Sequence, residues 1–203
     1  LAQMDGCGAL EVALDSYGAM EVLRELAQVL PSSCIVGAAT VMTEKAARKA
    51  AEAGARFITS PVNPPNFVEW CDSEEVLAIP GGFTPTELYS MLLSGAKAVK
   101  LFPACSFTPA GLKQMLNVGP FQGVKVMASG GIAPEQAVGW LEAGAMAVGI
   151  GTQLVGADTR LLTSPGGVDL TAEEADWQEN GRGRAGSLFR RLSGLHMLGR
   201  VCQ

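Results

Sequence analysis

The stretch Ser94-Gly95-Ala96-Lys97-Ala98-Val99-Lys100-Leu101-Phe102-Pro103-Ala104 joins the end of a helix to an apolar strand. Gly95 sits where a left-handed residue closes a helix. Three residues later the chain turns into a run of apolar side chains interrupted only by Lys100. The same punctuation recurs in Glu52-Ala53-Gly54-Ala55 and in Glu142-Ala143-Gly144-Ala145. Outward from these three joints, strands are expected at 9–14, 34–39, 57–60, 76–80, 98–102, 125–128 and 147–150. Helices are expected near 17–30, 43–53, 64–71, 84–94, 109–117 and 134–143, with Thr43, Thr84, Pro85 and Pro134 at their starts.

Several of these strands carry no polar alternation, as parallel strands covered on both faces should not. Repeated βα units of this length predict a (β/α)8 TIM barrel with one strand unaccounted for. The opening Leu1-Ala2-Gln3-Met4-Asp5-Gly6-Cys7-Gly8-Ala9 reads as a helix end with its glycine cap, which places the missing first strand before residue 1. A barrel short of one strand leaves two unpaired edges, a liability for stability. A doubly wound open sheet is the competing architecture, but no GxGxxG follows the first strand. The barrel is expected over 1–156. The remainder, 157–203, reads as an atypical extension, partly helical or disordered. It holds a basic, glycine-rich segment, Gly181-Arg182-Gly183-Arg184-Ala185-Gly186, with Arg190 and Arg191 beyond it and a weak helix at 188–198.

Across 203 residues the chain is 48% hydrophobic and 17% charged, with a net charge of −5. That describes one globular domain with an ample core rather than a disordered chain. The acidic balance, with only 6 lysines, argues against a nucleic-acid partner. No apolar run reaches the length needed to span a bilayer, so no membrane association is expected. Cys7, Cys34, Cys71, Cys105 and Cys202 lack CxxC spacing and fit reduced thiols, which suggests the cytoplasm, or the plastid stroma if a transit peptide has been removed. The single histidine, His196, lies in the tail, against a histidine-based metal site or a Ser-His-Asp triad.

Barrel chemistry gathers at the C-terminal ends of the strands. Those ends carry Glu11, Thr40, Ser60-Pro61, Pro80-Gly81, Lys100 with Phe102, Ser129-Gly130-Gly131 and Gly149-Ile150-Gly151-Thr152. Strand alternation puts Lys100 and Phe102 on one face and Val99 and Leu101 on the other. A desolvated lysine can shed its proton and capture a carbonyl as a Schiff base, whereas one at a strand end can also snorkel to solvent. Glu11, inside Leu10-Glu11-Val12-Ala13-Leu14, is either an edge residue or a carboxylate that moves protons near Lys100. Thr40 fits a helix cap or a hydroxyl that orients a substrate carboxylate. The glycine-rich ends of the last two strands fit a phosphate site built from backbone N–H groups.

Together, Leu10-Glu11-Val12, Ile35-Val36-Gly37-Ala38-Ala39-Thr40-Val41, Ile58-Thr59-Ser60-Pro61, Ile79-Pro80-Gly81, Val99-Lys100-Leu101-Phe102-Pro103-Ala104, Gly119-Pro120-Phe121 and Ser129-Gly130-Gly131-Ile132 resemble the 2-keto-3-deoxy-6-phosphogluconate (KDPG) aldolase family. Some of its members also handle 4-hydroxy-2-oxoglutarate. The resemblance implies that Lys100 forms the Schiff base, that Glu11 transfers protons, and that Thr40 lies beside the substrate carboxylate. It further implies that Phe102 packs on the pyruvyl group and that Pro61 is among the substrate-binding residues. Ser129, Gly130, Gly131, Gly151 and Thr152 would then hold the phosphate. The implied reaction is retro-aldol cleavage to pyruvate and glyceraldehyde 3-phosphate, with no cofactor or metal, in a homotrimer.

One position departs from that pattern. The family commonly has an arginine four residues after the glutamate, where this chain has Asp15. At an anionic substrate this exchanges attraction for repulsion. Two other readings stay open at this point. One is a phosphate-binding barrel isomerase or synthase without imine chemistry, and the other is a truncated, non-catalytic scaffold.

Overall fold

Strand and helix alternate along the computed structural model, which describes residues 7–151 and the segment Leu195–Gly199. The order is β1 (Cys7–Ala13), α1 (Ala19–Val29), β2 (Ile35–Ala39), α2 (Glu44–Glu52), β3 (Phe57–Thr59), α3 (Phe67–Ser73), β4 (Leu77–Ile79), β5 (Gly81–Gly82), α4 (Pro85–Leu93), β6 (Val99–Leu101), α5 (Pro109–Leu116), β7 (Val126–Ser129), α6 (Ala137–Glu142), β8 (Ala147–Ile150) and β9 (Leu195–Gly199).

The helix boundaries follow local chemistry. Thr43, Thr84 and Thr108 accept hydrogen bonds from backbone N–H groups in the first turns of α2, α4 and α5. At α4 the cap is reciprocal, because the Glu87 carboxylate accepts from the N–H groups of Thr84 (2.7 Å) and Phe83 (3.0 Å). Gly54, Gly95 and Gly144 adopt φ of 99°, 93° and 103°, the left-handed closures expected after α2, α4 and α6. Helix α3 starts later than the sequence suggests. Pro64 opens a turn that the Phe67 N–H closes on its carbonyl at 3.2 Å, and Asn66 within that turn enters the helix from a left-handed conformation, φ 60°.

The strand order is β4-β3-β2-β1-β9-β8-β7-β6-β5. Only Pro80 separates β4 from β5, so the two ends of that order are one stave of the chain, interrupted where proline cannot donate to the ladder. The sheet is therefore closed, which excludes the doubly wound alternative and gives the expected barrel. Neighbouring staves from β1 round to β8 run parallel.

The vacancy expected from a missing first strand is filled. β9 runs antiparallel to both β1 and β8, pairing Leu10 with Met197 on one side and Ile150 with Met197 on the other. Three expectations change accordingly. No barrel edge is left unpaired between β1 and β8. Residues 195–198 form a strand, not the end of a helix, and within the span expected as an extension this segment joins the barrel sheet. At the other end, Cys7 and Gly8 belong to β1 rather than to a helix cap. Residues 1–6 and the basic segment 181–191 lie outside the described residues.

Strand alternation then divides the core in two. Leu10, Val12, Val36, Ala38, Ile58, Ala78, Val99, Leu101, Val126, Ala128, Val148 and Ile150 face outward and pack with the helices in one cluster. That cluster takes in Ala19, Val22, Leu23 and Leu26, the apolar stripe of α1 at helical spacing. The alternate residues point into the barrel, where Ala9, Phe57, Ile79, Ala98 and Met127 form a separate apolar layer. One step further toward the C-terminal ends, the inward positions become Glu11, Thr59, Lys100 and Ser129, all buried. The apolar layer is the floor on which the polar one is built.

Candidate active site

Glu11 and Lys100 come from β1 and β6, on opposite sides of the barrel, and meet within it. Their side chains are 0% and 4% exposed, and Lys100 Nζ lies 3.7 Å from Glu11 Oε1. A charge in such a place is tolerated only when it is paired and hydrogen-bonded. The remaining bond comes from Thr59 on β3. Lys100 Nζ donates to Thr59 Oγ1 at 3.3 Å, and the Thr59 hydroxyl donates to Glu11 Oε2 at 3.0 Å.

The neighbours make room for this contact. β2 stands between β1 and β3, and its inward residues are Gly37 and Ala39, opposite Glu11 and Ala13 respectively. A Cβ at Gly37 would run into the ring of Phe57, so glycine there lets Phe57 close the floor directly beneath the polar layer. With no long side chain on β2, Glu11 and Thr59 bond across it. On the far side Lys100 stands next to Gly81 of β5, which again has no side chain.

Phe102 follows Lys100 on the same face, and its ring centroid is 5.6 Å from Nζ, close enough for cation–π attraction. Gly130 supports that ring. Its φ is 99°, and a Cβ there would lie 2.8 Å from Phe102, so both the backbone angle and the space call for glycine. The loop that follows Phe102 is tied to the same place by the Cys105 N–H, which donates to the Gly130 carbonyl at 2.9 Å.

The expected phosphate loops leave from one rung of the sheet, since Ser129 of β7 pairs with Gly149 of β8. Ser129 is buried at the rung, Gly130 and Gly151 are half-buried, and Gly131 is exposed at the mouth. Thr152 lies outside the described residues. Thr40 ends β2 in a left-handed conformation, φ 60°, which is unusual for a β-branched residue and costs of order 1–3 kcal/mol. The next N–H, that of Val41, donates to the Thr59 carbonyl at 3.1 Å and holds this bend against β3. Pro61 is half-buried just past β3. Its neighbour Ser60 is buried and directs its hydroxyl at Met42 Sδ, 3.4 Å away. Asp15 is exposed on the loop after β1. Among the described residues no group of three or more His, Cys, Asp or Glu side chains could hold a metal ion.

A buried amine beside a carboxylate, with glycine loops on the adjoining rungs, is an arrangement for capturing a carbonyl compound that carries an anionic group. The family model for KDPG and KHG aldolase matches residues 2–164. The chain belongs to that family. It is accordingly a class I aldolase, a lyase that breaks a carbon–carbon bond. It is 28% identical over 149 residues to a probable 2-dehydro-3-deoxy-6-phosphogalactonate aldolase of Rhizobium meliloti, covering 73% of this chain and 70% of that protein. To the KHG/KDPG aldolase of Escherichia coli it is 34% identical over 130 residues, 64% of this chain and 60% of the relative. Among solved structures, one described as native KDPGal superposes with a TM-score of 0.69 at 28% identity, covering 77% of this chain and 74% of the other. The 2-keto-3-deoxy-6-phosphogluconate aldolase of Zymomonas mobilis with 3-phosphoglycerate gives 0.64 at 29% identity, covering 74% and 70%.

Sequence reading found Lys100 and Glu11 because each is a charge inside an apolar run. It missed Thr59, whose interior position follows from the same alternation as Phe57.

Proposed function

We propose that this aldolase cleaves a phosphorylated 2-keto-3-deoxy sugar acid, 2-keto-3-deoxy-6-phosphogluconate, to pyruvate and glyceraldehyde 3-phosphate through a Schiff base on Lys100. The observation that carries this reading is the buried Lys100–Glu11 pair at 3.7 Å. The neutral Lys100 amine attacks the C2 carbonyl, and loss of water leaves a protonated imine. Glu11 is the group placed to donate and accept protons in that sequence. With the C4 hydroxyl deprotonated, the C3–C4 bond breaks. Its electron pair moves into the imine, and C4 leaves as the aldehyde. Protonation of the enamine at C3 and hydrolysis release pyruvate and return the amine. The iminium supplies the electron sink, which is what an activated lysine contributes to carbonyl chemistry.

In this reading Thr40 borders the substrate carboxylate, Pro61 lines the substrate site and Phe102 covers the pyruvyl carbons. The Ser129-Gly130-Gly131 and Gly149-Ile150-Gly151-Thr152 ends receive the phosphate through backbone N–H groups. The matches to phosphogalactonate aldolases span 149 residues, against 130 for the Escherichia coli KHG/KDPG enzyme, and favour a second substrate, the C4 epimer. 4-Hydroxy-2-oxoglutarate is a third candidate, by the second activity in the Escherichia coli enzyme's name. The active assembly is read as a homotrimer, housed in the cytoplasm or a plastid stroma.

Pyruvate release from each phosphorylated epimer, coupled to reduction by lactate dehydrogenase, tests the assignment. Turnover of one or both epimers is expected, with none in Lys100→Ala. Pyruvate release that survives Lys100→Ala would overturn the Schiff-base role of Lys100.

A further inference from the structure

We propose that Thr59 is the proton bridge between Lys100 and Glu11, so that the amine is readied through its hydroxyl rather than by direct contact. The inference rests on the Schiff-base reading above and specifies how its first step is served. At 3.7 Å the direct Nζ···Oε1 approach is too long for a hydrogen bond. The two contacts of Thr59, 3.3 Å from Nζ and 3.0 Å to Oε2, form a connected path. Their polarity is set. The ammonium can only donate, so Thr59 Oγ1 accepts from it, and the single hydroxyl proton is left to go to Glu11.

A proton can therefore pass along the path without any group reorienting. The ammonium gives one proton to Oγ1 as the Thr59 hydroxyl proton moves to Glu11 Oε2. The products are a neutral amine, an intact hydroxyl and a protonated carboxyl. No bond to carbon changes, and total charge is conserved. The reverse passage restores the ammonium after pyruvate leaves. Burial favours this arrangement, since Thr59 and Glu11 are 0% exposed and Lys100 3%, which limits competition from solvent. Glu11 and Lys100 are also the only buried charged side chains among the described residues, so the bridge joins the two groups whose proton exchange matters.

Thr59 acts through Lys100 and is a positioning residue in this scheme. Its test needs a readout that a purely structural role would not move. Imine formation is followed in the protein as the rate of borohydride trapping with pyruvate, at several pyruvate concentrations. Thr59→Val keeps the shape and removes the hydroxyl. Thr59→Ser keeps the hydroxyl and removes the methyl. The expected result is a maximal trapping rate lowered about 100-fold in Thr59→Val, the lower end of what proton transfer contributes. The half-saturating pyruvate concentration should change less than about twofold, and Thr59→Ser should restore most of the rate.

Equal loss in both variants, or none in Thr59→Val, overturns the bridge while leaving the Schiff base standing. Absence of trapping in the unaltered protein removes both. If Thr59→Val does not fold, the unaltered protein still decides. Two protons moving together predict a curved dependence of trapping rate on deuterium fraction in mixed H2O–D2O, and a straight line overturns the proposal.

Discussion

Asp15 stands where the resemblance implies an arginine. It is exposed on the loop after β1, four residues beyond Glu11, and an arginine there would offer a cation to the substrate carboxylate. A charge-assisted hydrogen bond is worth about 1.5–3 kcal/mol, or roughly 10- to 150-fold in binding. Asp15→Arg should therefore lower KM for the phosphorylated keto acid by about tenfold or more, with kcat changed much less. Steady-state kinetics at moderate salt measures this, and an unchanged KM would mean that the loop does not face the carboxylate. Residues at this scale were legible in proportion to their contrast with their surroundings. Lys100 and Glu11 stand out as charges in apolar strands. Thr59 does not, because threonine is an ordinary strand residue. Its hydroxyl acquires meaning only when β1, β3 and β6 are brought around one axis.

Helix ends were the most legible elements, since their signals are local. The caps at Thr43 and Thr84 and the closing glycines at 54, 95 and 144 all do what their residue types favour. The start of α3 was misplaced because two prolines and a left-handed asparagine act together there. At α4 the reciprocal cap carries a pH signature. The backbone N–H groups of Thr84 and then Phe83, followed by the Thr84 hydroxyl, hold the Glu87 carboxyl below its ordinary range. A carboxyl depressed by folding contributes stability above its unfolded pKa and loses it as pH falls through the folded value. Glu87→Gln should therefore cost stability at neutral pH, and the difference from the unaltered protein should vanish in acid. Thr84→Ala should cost about 1 kcal/mol. Thermal melts across pH 2–7 measure both effects, and a Glu87→Gln difference that persists undiminished at the acid end would contradict the cap's electrostatic role.

At the scale of the whole molecule, the seven parallel staves were legible and the eighth was not. Parallel strands announce themselves as short apolar runs between capped helices. Leu195-His196-Met197-Leu198-Gly199 offers no such frame, and its apolar spacing suits a helix as well as a strand. Its identity as a strand comes from the two ladders that flank it. Met197 pairs with Leu10 on one side and Ile150 on the other, so its N–H meets a partner strand whichever way it points. Met197→Pro removes that donor inside a closed sheet. The expected cost is about 1–3 kcal/mol, or roughly 2–12 °C in Tm for a domain of this size. A Tm unchanged by the substitution would show that the barrel closes without β9. Closure matters to chemistry because β1, which carries Glu11, is held by β9 on one side and β2 on the other.

The central claim is that this barrel holds Lys100 as a carbonyl-capturing amine, and intact-mass spectrometry after incubation with pyruvate and borohydride tests it most directly. The account predicts one reduced pyruvyl adduct per chain, mapped to the peptide containing Lys100 and absent from Lys100→Ala. Folded protein that gains no adduct, or gains it equally in Lys100→Ala, would contradict the account.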